Sequence, residues 1–111
     1  MRLAIVGSRN IKEVNIAAHI PVGVTEIVSG GAKGVDSLAQ MFAEENGLRF
    51  TAFLPQYERY GRSAPLKRNE QIAAYADTAL VFWDGNSRGT AHAIRCFEKL
   101  KKPIKIVLTD L

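Results

Sequence analysis

Apolar residues fall along this chain in two alternating rhythms. Five short stretches are nearly continuous in apolar character: residues 3–6, 26–29, 49–54, 78–83 and 104–108. Bounded by glycine and proline, they predict strands, and Leu3-Ala4-Ile5-Val6 reads as one covered on both faces of a parallel sheet. Between the strands the spacing becomes helical. Val35, Leu38, Ala39, Phe42 and Ala43 share one face, and Asn46-Gly47 ends that pattern with a C-terminal signal. Ile72, Ala73 and Ala76 form a face over about 66–76, and Ala93, Ile94, Phe97 and Leu100 form another after Thr90. Val14, Ile16, Ala17, Ala18 and Ile20 give a weaker helical stretch, ended by Pro21 and Gly23. Residues 55–66 follow neither period, and connections of that length tend to be functional or disordered. Lys105 interrupts the last strand as an edge position would.

Five strands alternating with four helices predict a Rossmann-like, doubly wound α/β fold in a single domain, residues 1–111. Right-handed crossovers, with the most apolar strands central, give a parallel five-stranded sheet in the order 3-2-1-4-5. Winding then reverses between strands 1 and 4. The turns after strands 1, 2 and 4 meet at the C-terminal edge, where ligands of such folds bind. All three turns carry glycine: Gly7-Ser8-Arg9-Asn10, Ser29-Gly30-Gly31-Ala32-Lys33-Gly34-Val35-Asp36, and Asp84-Gly85-Asn86-Ser87-Arg88-Gly89-Thr90. Glycine admits close backbone approach, and the helix N-terminus that follows presents unpaired N–H groups to an anion. One such turn is equally a tight connection; three converging turns favour a phosphate.

The candidate phosphate-binding residues are Gly7, Ser8, Arg9, Gly30, Gly31, Lys33, Gly34, Gly85, Ser87, Gly89 and Thr90 from the three turns, with Arg68 from the helix before the fourth strand. Arg9 can fork onto two phosphate oxygens. Arg68 sits in the first turn of its helix, where a cation opposes the helix dipole unless an anion offsets it. Ser87 and Thr90 suit helix capping, yet their hydroxyls also face the turn. Asp84 and Asp36 are the candidate catalytic carboxylates. A turn-forming role for Asp84 and a dipole-complementing role for Asp36 are the plainer alternatives. His92 is a candidate proton donor or phosphate ligand, and Tyr57, Tyr60, Arg59 and Arg62 can stack on a base or simply form a surface loop. Trp83 reads as core or as an apolar wall for a base.

Composition narrows the classes. One cysteine, Cys96, excludes an internal disulfide and the repeated spacing of a structural zinc site. It has no cluster lowering its pKa and reads as inert. No metal site or cofactor is expected. With no long apolar run and no basic-then-apolar leader, neither a membrane span nor a secretory signal is expected, and a cytoplasmic location follows as the default. Fifteen basic against eleven acidic residues give +4, which suits a phosphorylated ligand but is too small an excess to argue for nucleic acid.

Gly7-Ser8-Arg9, Gly30-Gly31-Ala32-Lys33-Gly34-Val35-Asp36, Arg68-Asn69 with Ala76-Asp77, and Gly85-x-x-x-Gly89-Thr90 resemble, in order, the motifs of the SLOG superfamily. That Rossmann-like group holds DprA/Smf proteins and the LOG nucleotide phosphoribohydrolases, and the chain is most similar to its small YspA-like members. The resemblance implies a nucleotide or nucleotide-derived ligand at the switch point, with Asn69 among the residues that bind it, and a homodimer. Two alternatives follow from it: LOG-type hydrolysis of a nucleoside monophosphate, and single-stranded nucleic-acid binding in the manner of DprA. LOG enzymes carry acidic residues on the helix after Gly-Thr, one of which serves in cleaving the N-glycosidic bond. Here Ala91-His92-Ala93 follow Gly89-Thr90, so the ligand-holding half is similar, with Arg68 matching the family's arginine. The helix after Gly-Thr carries no carboxylate there, which leaves Asp84 and Asp36 as the candidates for that role.

Overall fold

Alternation along each strand sorts the side chains into two layers. Leu3, Ile5, Ile27, Leu80 and Phe82 are buried on one face of the sheet, and Ala4, Val28, Ala79 and Val81 on the other. The computed structural model describes residues 1–31 and 34–109. Strands β1 (Arg2–Gly7), β2 (Glu26–Ser29), β3 (Arg49–Ala52), β4 (Thr78–Trp83) and β5 (Ile104–Leu108) form one parallel sheet in the order β3-β2-β1-β4-β5. The α/β class, parallel pairing and strand order are those read from the sequence. β5 is an edge strand and Lys105 on it is exposed.

Helix α1 (Val35–Glu45) buries Val35, Ala39 and Ala43 on the first face. Helices α3 (Ala64–Tyr75) and α4 (Arg88–Lys99) cover the second face with Ile72, Ala73, Ile94 and Phe97. A fully buried side chain the size of Phe97 is worth about 1.5–3 kcal/mol, so these faces carry much of the stability. Lys102 donates from Nζ to the carbonyls of Ala73, Ala74 and Ala76 at 2.7, 3.0 and 2.8 Å, tying off the last turn of α3.

Four boundaries depart from the sequence reading, one being β3, which ends at Ala52 rather than at Leu54. The expected helix over Val14–Ile20 does not form; the crossover there is irregular apart from a 3-10 turn at Ala17–His19. Ile11 and Ile16, five apart, are the residues it buries, whereas Ala17 and Ala18 are exposed and the His19 ring meets Phe82 edge-on at 5.9 Å. Residues 55–66 are not all loop. Helix α2 (Tyr57–Tyr60) and a 3-10 turn at Gly61–Ser63 lead directly into α3, which starts two residues earlier than expected. α4 starts at Arg88, so Gly89 and Thr90 are helical rather than part of the preceding turn.

Gly34, the N-cap of α1, has φ +78° and ψ −119°. A Cβ there would lie 2.8 Å from the Ile11 carbonyl oxygen and 3.0 Å from that of Arg9. Only glycine lets the first turn of α1 sit against the segment leaving β1.

Candidate functional site

The winding reversal between β1 and β4 opens a cleft at the C-terminal edge of the sheet. The first turn of α4 brings Ser87, Gly89 and Thr90 to it, the end of β1 brings Gly7 and Arg9, and the end of β2 brings Gly30. α1 adds Asp36, and α3 adds Arg68 and Asn69. Apolar lining comes from Val6, Pro65, Leu66 and Ile72. This inner hollow has a volume of about 140 Å³ and shares Arg9, Gly30, Pro65 and Arg68 with an outer hollow of about 400 Å³, which reaches Gly31, Pro55 and Tyr57.

Arg68 is the most constrained cation of the cleft. Its Nη1 donates to the Gly30 carbonyl at 2.8 Å and its Nε to Asn69 Oδ1 at 3.0 Å. A Cβ on Gly30 would run into this guanidinium, 2.9 Å from Cζ, so the glycine here admits an arginine rather than a ligand. Burial pushes the Arg68 pKa down, while the negative charge of Asp36 opposes that and Arg9 adds to it. Arginine stays protonated through such a shift, so the effect is a partly desolvated permanent charge beside the cavity.

The turn before α4 is built from its own side chains. Asp84 Oδ1 accepts from the backbone N–H groups of Asn86 and Ser87 at 2.8 and 2.7 Å. Those two bonds, Ser87 first, hold its carboxyl below the usual carboxylate range, with the Asn10 and Ser8 side chains adding to them. Ser87 Oγ accepts from Thr90 N at 3.4 Å and caps the helix. Ser8 is almost fully buried; its Oγ lies 3.3 Å from Thr90 Oγ1 and accepts from Asp84 N at 3.4 Å. Ser8 therefore joins the first turn to the third from behind the cleft.

Of the residues singled out from the sequence, Gly7, Arg9, Gly30, Asp36, Arg68, Asn69, Ser87, Gly89 and Thr90 come together around the inner hollow, with Gly31 at the outer one. Gly34, Ser8, Asp84 and Gly85 shape the turns without lining either hollow. Lys33 lies outside the described residues. Asp36 is 9% exposed and is the cleft's carboxylate among the described residues. Tyr57 stands at the outer hollow, and the Arg59 guanidinium lies 5.2 Å from the Tyr60 ring centroid. Trp83 packs on the α3/α4 layer and donates from Nε1 to the Ser87 carbonyl at 3.1 Å.

His92 turns away from the cleft into a groove between α3 and α4, beside Glu70, Arg95 and Cys96. Burial lowers its pKa, Arg95 lowers it further and Glu70 opposes. The Cys96 thiol is pushed up by burial and then by Glu70, consistent with an unreactive thiol. Among the described residues no group of three or more His, Cys, Asp and Glu is placed to hold a metal ion, and no helix is long and apolar enough to cross a membrane.

The chain is 36% identical over 90 residues to the Gene 61 protein of Mycobacterium phage D29, a match covering 76% of this chain and 71% of that protein. The chain belongs to the family of that phage protein. No family model matches it, and neither does any solved structure. In this member of the Gene 61 family, sequence reasoning missed how Pro65, Leu66 and Ile72 supply the apolar wall. Their signal was the helical period itself, which extends into the turn where α3 meets the cleft. It also missed the contact of Asn69 with His92, which no local pattern encodes.

Proposed function

We propose that the cleft binds a nucleotide or nucleotide-derived phosphate ester. The observation that carries this reading is the Arg68 guanidinium, partly desolvated and fixed on the cleft wall by Gly30 and Asn69. A permanent charge held in one geometry next to a cavity favours an anion there. Arg9 adds a second cation, and the first turn of α4 contributes backbone N–H groups and the positive end of its dipole. The phosphate sits in the inner hollow and the base in the outer one, against Tyr57, Pro55 and Pro65. The ordered resemblance to SLOG motifs supports the same ligand class and a homodimer; the single cysteine suits a cytoplasmic setting.

Binding without rapid hydrolysis is the expected chemistry. Cleaving an N-glycosidic bond builds positive charge on the ribose and uses a carboxylate to stabilise it or to activate water. Asp84 is committed to its turn and held ionised, which leaves Asp36 as the carboxylate at the cleft. Calorimetric titration with AMP, GMP, CMP and UMP tests the reading. Arg68→Ala should weaken the best binder by about 1.5–3 kcal/mol, the worth of a charged hydrogen bond, with an unchanged far-UV circular dichroism spectrum. Unchanged affinity overturns the Arg68 clamp. Release of free base that Asp36→Asn abolishes replaces the binding reading with the hydrolytic one.

A further inference from the structure

We infer that Asn69 is a positioning residue for the Arg68 clamp and that His92 fixes Asn69 from the opposite side; the role in affinity rests on the cleft being an anion site.

Asn69 stands between two spaces, the cleft on one side and the α3/α4 groove on the other. It is 7% exposed. Its Oδ1 accepts from Arg68 Nε at 3.0 Å, while its Nδ2 donates to the Gly89 carbonyl at 3.3 Å and lies 3.1 Å from His92 Nδ1. These partners settle which way the amide points. Arg68 Nε–H is only a donor and the Gly89 carbonyl is only an acceptor, so a flipped amide would set donor against donor and acceptor against acceptor. With Nδ2 a donor, His92 Nδ1 is the acceptor, and the neutral ring carries its proton on Nε2. A hydrogen-bonded line thus runs from His92 through Asn69 to Arg68 and on to Gly30, joining α4, α3 and the turn after β2. Asn69 also pins the first turn of α4 through Gly89. One amide therefore sets the spacing between the cation and the helix N-terminus that together face the cleft.

The same line adds to what favours the neutral ring. The groups facing His92 are Asn69 and Glu70 from α3 and Arg95 and Cys96 from α4, with Cys96 Sγ 3.8 Å from both ring nitrogens. Burial disfavours imidazolium most, Arg95 adds to that and Glu70 opposes it; a donor to Nδ1 such as Asn69 Nδ2 also favours the neutral ring. Removing the amide should raise the His92 pKa, through loss of the donor and through relief of burial together, so the exchange of Arg68 Nε–H is the readout that loss of packing volume alone would not move.

The test uses nitrogen-15 NMR of the full chain beside calorimetry with AMP. In the unsubstituted protein, Arg68 Nε–H should exchange slowly with solvent and His92 should show an unprotonated Nδ1. Asn69→Ala should speed Arg68 Nε–H exchange, raise the His92 pKa and weaken AMP binding about five- to tenfold, the worth of roughly one hydrogen bond. His92→Gln, whose side-chain oxygen can accept from Asn69 Nδ2, should keep AMP affinity, and His92→Leu should lose part of it. The His92 pair is half-buried and carries the test if Asn69→Ala fails to fold. Unchanged Arg68 exchange and an unchanged His92 pKa in Asn69→Ala, or equal AMP affinity in His92→Gln and His92→Leu, overturns the positioning role. Failure of the unsubstituted protein to bind AMP, GMP, CMP or UMP overturns the cleft reading instead, and the NMR measurements still decide whether Asn69 holds Arg68.

Discussion

At the N-terminal edge of the sheet, Glu26 accepts hydrogen bonds from Tyr75 and from Thr51 Oγ1, Asp77 accepts from the Arg2 backbone N–H, and Lys102 caps the end of α3. Arg2 also lies over the Tyr75 ring, 4.3 Å from its centroid. At the C-terminal edge, Arg9, Asp36, Arg68, Ser87 and Thr90 surround an open hollow. Both ends hold charged groups in partly buried positions. At the first, the charges are spent closing the sheet against its helices. At the second, the winding reversal leaves a gap that side chains do not fill, and the helix ends around it are N-termini. A polar cluster in this fold is thus an indication of binding only where the topology keeps it open.

The scaffold beneath the open end should be the most sensitive to change. Gly34→Ala puts a Cβ within 2.8 Å of the Ile11 carbonyl in a backbone conformation that L-residues rarely adopt. The conformation alone costs about 1–3 kcal/mol, and the clash adds to it. Urea titration should show a large loss of stability, together with weaker AMP binding as the start of α1 shifts. Full stability would mean that the first turn of α1 can move away without consequence.

The closed end should affect stability and leave affinity alone. Glu26 is 6% exposed, and Glu26→Ala strips the Tyr75 and Thr51 hydroxyls of their acceptor, a loss of about 1–3 kcal/mol. AMP binding should stay within about twofold, since the cluster lies across the sheet from the cleft; a larger change would break the contrast between the two ends. The same residue gives a pH signature. The Tyr75 hydrogen bond holds the Glu26 carboxyl below its ordinary value of 4.5, with Thr51, Arg49 and Arg2 adding and burial opposing. A carboxyl more acidic in the folded than in the unfolded chain contributes its full stability above that ordinary value. It loses the contribution as pH falls from there through the folded value. Unfolding curves of Glu26→Ala and the unsubstituted protein should therefore converge in acid, and a constant gap down to pH 3 would assign the effect to packing.

The difference between the ends explains what the sequence could disclose. Apolar runs and glycine turns have short-range signatures, so the strands, their order and the gathering of three turns were legible. Residues 14–20 mimic a helix because alanines pad the spacing. Burial is decided instead by Ile11 and Ile16, which join the core with Leu3, Ile5 and Phe82, and by a β-branched, proline-ended stretch that favours extended backbone. The four-residue α2 is too short to leave a period. Asn69 and His92 are 23 residues apart, and their contact exists only once α3 and α4 lie side by side. The glycines were legible as residues that admit close approach, but not what approaches them: at Gly30 it is Arg68 and at Gly34 a backbone turn.

Gly89 is where ligand approach and internal packing can be separated, through a small effect of opposite signs. It is the second residue of α4, it lines the cleft, and a Cβ built on it meets no atom within 4 Å. Nothing in the fold needs glycine there, and glycine in a helix costs about 0.5–1 kcal/mol relative to alanine. Gly89→Ala should therefore stabilise the protein by up to about 0.4–1 kcal/mol, less if the first turn is already loose. If a phosphate seats on the backbone amides at the start of α4, the added methyl group crowds it, and AMP affinity should fall as stability rises. Thermal unfolding and calorimetry on the same preparation read both signs. A more stable protein with undiminished affinity would place the ligand away from α4 and leave Arg68 and Arg9 to hold it alone.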